Sequence, residues 1–170
     1  MVKCCVETAI LRKVINDMRN KHDYVHVIFP LTQDESGYPS VGSERLWAKR
    51  LEDHTYEIDN IPFFVQGISS GDIITAEEKD GALFFEEVKK HSGNSTLRVS
   101  IFGDDDIKQK LVRELRNMLS NLGCETEVSH TPNLLSVEVP ITTSLKVVID
   151  YLKKGAEEGK WDYEEATLRQ

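Results

Sequence analysis

SGNSTLRVSIFGDDDIKQKLVRELRNMLSNLG, residues 92–123, is where the chain changes rhythm. Leu97, Val99 and Ile101 alternate with polar residues, the period of a strand with one buried face. After Gly103, apolar residues recur at Ile107, Leu111, Leu115, Met118, Leu119 and Leu122, the spacing of an amphipathic helix. Asp104, Asp105 and Asp106 stand at the end of that helix where its dipole favours carboxylates, and Gly123 stops it.

Downstream the same rhythm continues. CETEVSH and LLSVEVP read as strands around the turn TPN. TTSLKVVIDYLKKGAEEG reads as a second helix, capped by Thr143 or Ser144, and KWDYEE as a closing strand with Trp161 and Tyr163 on one face. The order β-α-β-β-α-β predicts a ferredoxin-like unit with one sheet face buried against both helices.

Upstream the rhythm is that of strands alone. YVHVIFPL, RLWAKRL, TYEID, ISSGDIITAEE and ALFFEEVKK are short and rich in β-branched and aromatic residues. Asp80-Gly81 between the last two is a hairpin signal. NIPFFVQG, residues 60–67, is expected to continue the strand series, with Phe63 or Phe64 anchoring the core. Five or six such strands predict a small curled sheet or barrel. TQDESGYPSVGSE is a polar loop of turn formers. Val6, Ile10, Leu11, Val14, Ile15 and Met18 form one stripe, which predicts an N-terminal amphipathic helix. The expected fold is therefore α+β in three parts: a helical extension over 1–24, a β-rich barrel-like domain over 25–94 and a ferredoxin-like domain over 95–170.

The chain has 170 residues and a formal net charge of -8. Residues 51–100 hold 4 Lys and Arg against 10 Asp and Glu, and residues 101–170 hold 9 against 13. Such an acidic body repels phosphate, so no nucleic-acid partner is expected, and it attracts a basic protein. No apolar run is long enough for a membrane span, and the N-terminus lacks a signal-peptide pattern, which reads as cytoplasmic. Cys4 and Cys5 are adjacent, a poor pair for a tetrahedral metal or a disulfide, and Cys124 reads as a buried apolar residue. His22, His26, His54, His91 and His130 are scattered without ligand spacing. No metal, cofactor or catalytic residue is expected.

DESGYPSVGSERLWAKRL, YEIDNIPFFVQGISSGDII, SGNSTLRV and GAEEGKWDYEEATLRQ together resemble a bacterial family of unknown function. Its marks are an Asn-Ile-Pro-Phe block, a Gly-Asp turn and a Ser-Gly-x-Ser-Thr segment. The resemblance runs from about Val25 to Leu168. It implies a bacterial cytosolic protein and no stated activity. One departure is Asn94, where members often carry His. Were that His catalytic in the family, this chain would lack it.

The hydroxyl- and amide-rich stretch Ser92, Asn94, Ser95 with Arg98 lies at the seam of the two halves, where ligand sites gather. Glu44, Trp47, Asn60 and His91 are expected to join it in space. Ser69-Ser70-Gly71-Asp72 reads as a turn, without the Lys-Ser/Thr and helix of a phosphate loop. Three classes of function follow. The first is a binding protein for a basic partner, such as an immunity protein that neutralises a toxin. The second is a small-molecule sensor, by fold analogy. The third is an enzyme without a recognisable motif.

Overall fold

Tyr24–Pro30 (β1), Ser43–Arg50 (β2), Thr55–Ile58 (β3), Ile73–Lys79 (β4) and Ala82–Lys90 (β5) curl into a five-stranded barrel. The computed structural model describes residues 23–129 and 133–169. The expected helix over residues 6–21 lies outside the described residues. Successive barrel strands pair antiparallel, and a short parallel pairing of Val27 and Ile28 with Leu83 and Phe84 closes the ring. Alternation does the sorting: Glu44, Leu46 and Ala48 of β2 point inward while Arg45, Trp47 and Lys49 point out. Asp80 and Gly81 both take positive φ (52° and 77°), the backbone a two-residue hairpin needs.

The second half begins at Ser95–Ile101 (β6) and runs through Asp105–Asn121 (α1), Glu125–Val128 (β7), Leu134–Val139 (β8), Leu145–Glu157 (α2) and Trp161–Thr167 (β9). Its four strands lie in the order β7-β8-β6-β9, all antiparallel neighbours. Leu97, Val99, Leu135 and Val137 pack against Leu115, Leu119, Val148 and Leu152 of the helices. Asp104 caps α1, its carboxylate accepting from the N–H of Ile107 at 2.9 Å. Cys124 is buried in this core, and burial pushes its thiol up to about 11, so the neutral thiol persists at physiological pH. No described helix is long and apolar enough to cross a membrane.

Residues 59–72, between β3 and β4, depart from the expected strand series. They form no strand but a strap laid between the barrel and the sheet. Its apolar side chains Val65 and Ile68 join the barrel core, with Phe29, Leu46 and Tyr56. Its polar groups meet the face of the four-stranded sheet that the helices leave uncovered, in the spatial order of the strands. Asn60 Nδ2 and the N–H of Ile61 donate to Glu127 of β7 at 3.1–3.2 Å. Ser136 Oγ of β8 donates to the carbonyl of Pro62 at 2.7 Å. Arg98 Nη2 of β6 donates to the carbonyl of Val65 at 2.5 Å. The N–H of Gly67 donates to Thr167 Oγ1 of β9 at 3.0 Å.

The strap therefore has two sides with different chemistry. One fills the barrel by apolar burial, and the other satisfies backbone groups on a polar sheet face. The rings of Phe63 and Phe64 are only half-buried, which corrects the expectation that one of them anchors the core. Ile61, Pro62, Val65 and Ile68 are the buried apolar residues of the strap.

Candidate functional site

Glu44 explains how the strap is held. Its position on β2 faces inward, next to the strap. One carboxylate oxygen accepts from the N–H of Phe63 at 2.7 Å, and the other accepts from the N–H groups of Phe64 and Val65 at 2.8 Å. Three successive backbone donors converging on one carboxylate form an anion nest, here filled from within the chain.

The residues nominated from sequence surround the strap but do not converge on one pocket. Asn60 accepts from the N–H of Trp47 at 2.6 Å, so both serve the strap's entry. The Trp47 ring itself lies outside the barrel, half-exposed against the His26 ring at 3.7 Å between centroids. The N–H of Ser92 donates to Asp72 at 2.8 Å, and the other Asp72 oxygen accepts from the N–H of Ser69 at 3.0 Å. His91 Nδ1 stands 3.6 Å from Asp72. Asn94 donates to the carbonyl of Ser70 and accepts from the N–H of Ile141, both at 3.2 Å. Ser95 is fully buried, its hydroxyl accepting from the N–H of Arg169 at 3.0 Å. The Ser92–Ser95 segment is thus a hydrogen-bonded junction. Of the nominated residues, Arg98 lines a cavity.

That cavity is a cleft of about 550 Å³ between barrel and sheet. Phe29, Leu31, Phe85 and Val88 form its barrel wall, Phe64 and Val65 its strap wall, and Tyr38 stands at its edge. The Phe29 and Phe85 rings stack at 4.7 Å, and Tyr38 meets Phe64 edge to face at 6.2 Å. Tyr38 is presented by the loop 31–42, where Asp34 Oδ1 accepts from the Ser36 N–H and hydroxyl and from the N–H of Tyr38. Burial, opposed by Arg98 and aided by Glu164, keeps the Tyr38 hydroxyl above its ordinary range, hence protonated and able to donate.

Arg98 is 2% exposed, a cation set in the floor of the cleft. Glu164, at 41% side-chain exposure, places both oxygens 3.1 Å from Nη1. Nη2 serves Val65. Among the described residues Nε finds no acceptor, although it is buried. Tyr38 and Glu164 were missed in the sequence, and Phe64 was read there as core. Tyr38 sat in a loop with only turn chemistry to read, and Glu164 sat on the polar side of a short strand.

A second charged feature lies at the other end of the sheet. Glu138 is 8% exposed and faces Glu125 across the strand pair. Burial raises its carboxyl above the ordinary range; a hydrogen bond with Ser70 opposes this, and Glu125 and Glu127 add to it. A carboxyl whose folded pKa is raised contributes stability below the unfolded value and loses it as pH rises through the folded value. Glu138→Gln is therefore expected to raise the melting temperature at pH 7–8. The difference should shrink as pH falls below the ordinary glutamate range, where the wild-type carboxyl is protonated in both states. Parallel melts across that range check it, and a gain independent of pH would show that charge is not the cause. Among the described residues no cluster of three or more His, Cys, Asp or Glu is arranged to hold a metal.

The model of a domain of unknown function, DUF4265, matches residues 44–163. A solved structure described as a novel crystal structure of a hypothetical protein from Neisseria gonorrhoeae is similar in fold. It has a TM-score of 0.66 and 22% identity, over 87% of this chain and 96% of that one. No curated protein matches.

Proposed function

The chain belongs to the DUF4265 family, a family of unknown function, and from the cleft its fold builds we propose that it is a binding protein for a small amphipathic ligand. The observation that carries this reading is the cleft itself: about 550 Å³, mainly apolar walls, one buried guanidinium, one tyrosine hydroxyl and the exposed polar side chains of Thr32, Asp34 and Gln66. Concave, mostly apolar sites with few convergent polar groups are the usual form of small-molecule sites, and they favour seams such as this one. The ferredoxin-like reading of the second half is supported by the β7-β8-β6-β9 order with both helices packed on one face.

The test uses a neutral fluorescent apolar probe, 1-aminoanthracene. Its emission is expected to rise on mixing with the protein, and Val88→Trp, which fills the barrel wall of the cleft, should abolish the rise without lowering the melting temperature greatly. Saturable binding untouched by Val88→Trp, or no binding at all, would overturn the reading.

A second reading, a basic protein partner of the kind an immunity protein neutralises, is favoured by the net charge of -8 and by the carboxylates of Asp34 and Glu164 near Tyr38. It predicts that peptides selected from a random display library are enriched in Lys and Arg and lose binding to Tyr38→Ala.

A further inference from the structure

We propose that the cleft takes an apolar monocarboxylate, and that Glu164 competes with the ligand's carboxylate for the Arg98 guanidinium. This inference rests on the ligand-binding reading and names the chemical class that the site selects.

Three observations carry it. Arg98 is buried to 2% exposure, and its guanidinium is fixed on one side by the carbonyl of Val65. A buried guanidinium with an unmatched Nε–H is costly, because a buried donor without an acceptor forfeits its hydration. Glu164 does not remedy this, since both its oxygens address the single nitrogen Nη1 rather than forking across two.

Position supplies the second step. Arg98 and Tyr38 line both the main cleft and a smaller pocket of about 180 Å³, and Glu164 lines the smaller one, with Ser100, Asp162 and Tyr163. A carboxylate entering through the main cleft meets the guanidinium from a cavity that Glu164 does not line. It can add a charge-assisted contact to the guanidinium while its apolar body lies along Phe29, Leu31, Phe85 and Val88.

Asymmetry of burial supplies the third. Glu164 is 41% exposed and, among the described residues, its carboxylate is held otherwise by Gln66 at 3.4 Å, so it can turn to solvent at little cost. Arg98 cannot leave. The buried charge is cationic, while the carboxylates nearby, Glu164 and the cleft-lining Asp34 that already accepts from Ser36 and Tyr38, reach solvent, which sets the sign of the ligand. Neutralising Glu164 then removes a competitor and leaves the receptor in place.

The experiment compares decanoate with decanol, both below micellar concentration, by isothermal calorimetry on wild-type protein, Glu164→Gln and Arg98→Met. Decanoate is expected to bind wild type at least tenfold more tightly than decanol. Glu164→Gln should tighten decanoate several-fold and leave decanol unchanged. Arg98→Met should erase the decanoate advantage. Should Arg98→Met fail to fold, the alcohol comparison and Glu164→Gln decide by themselves. Equal binding of alcohol and acid sinks the anion inference while the cleft reading stands. Binding of neither defeats both, and a decanoate affinity weakened by Glu164→Gln contradicts the competition.

Discussion

Glu44→Ala is expected to destabilise the protein by about 3–5 kcal/mol, because one side chain satisfies three backbone donors at once. Each hydrogen bond to a charged acceptor contributes roughly 1.5–3 kcal/mol net, and the alanine variant leaves the donors of Phe63, Phe64 and Val65 together without it. Val65 is buried, while Phe63 and Phe64 are half-buried, so water recovers part of the loss. That places the cost below the simple sum of three bonds. Glu44→Gln keeps one acceptor oxygen and turns an amide donor toward an N–H, so it should lose about half as much. Urea unfolding of the three proteins checks the ranking. A neutral alanine variant would mean that Glu44 does not hold the strap.

The same residue shows how much of this molecule was legible in its sequence. Glu44 was read as the last residue of the polar loop TQDESGYPSVGSE and nominated for a site with Asn60, whereas the strand begins at Ser43 and turns Glu44 to the face of Leu46 and Ala48. Its partners, the backbone N–H groups of Phe63 to Val65, carry no side-chain signature. A carboxylate that holds backbone therefore looks like one that awaits a ligand. Phe63 and Phe64 misled for the related reason that a strap has no period. Its apolar residues are spaced by the shape of two neighbours rather than by 2 or 3.6 residues.

The strand and helix order of the second half was legible because the residues packed between sheet and helices keep a regular period. Leu97, Val99 and Ile101 face one core, and α1 and α2 each present one stripe. The other face of β6 was not legible. Thr96 and Arg98 occupy positions that alternation assigns to solvent, yet both are buried under the strap. Arg98 was singled out for lying at the seam, and its place in the cleft agrees with that, but the aromatic wall arrives from residues 29, 38, 64 and 85, which no local pattern gathers.

The second large effect is expected at Gly155. An alanine in mid-helix normally gains roughly 1 kcal/mol over glycine. Here the sign should reverse. A Cβ on Gly155 would lie 1.9 Å from Trp161 Cζ2 and 2.3 Å from Cε2, inside the indole ring's own volume. The ring has no room to withdraw. Trp161 is 4% exposed, packs in the helix-side core, and donates its Nε1–H to the carbonyl of Leu152 at 2.9 Å. Helix α2 must then move off β9, or the indole must lose its rotamer and its hydrogen bond. Overpacking of this kind costs about 1–3 kcal/mol or more, and we expect about 3 kcal/mol net from Gly155→Ala. A thermal melt with near-ultraviolet dichroism reads both the loss and the displaced indole. A more stable variant would show that α2 and Trp161 do not meet as described.

The central claim is that the strap makes barrel and sheet one cooperative body, with the cleft fixed between them. Its side chains Val65 and Ile68 belong to one core while its backbone is bonded across all four strands of the other half. Native-state hydrogen exchange under increasing denaturant tests this most directly. The slowest amides of β1 and β2 should report the same opening free energy, with the same denaturant dependence, as the slowest amides of β6 and β8. Barrel amides that exchange through a distinct opening of lower energy, while the sheet stays protected, would contradict it.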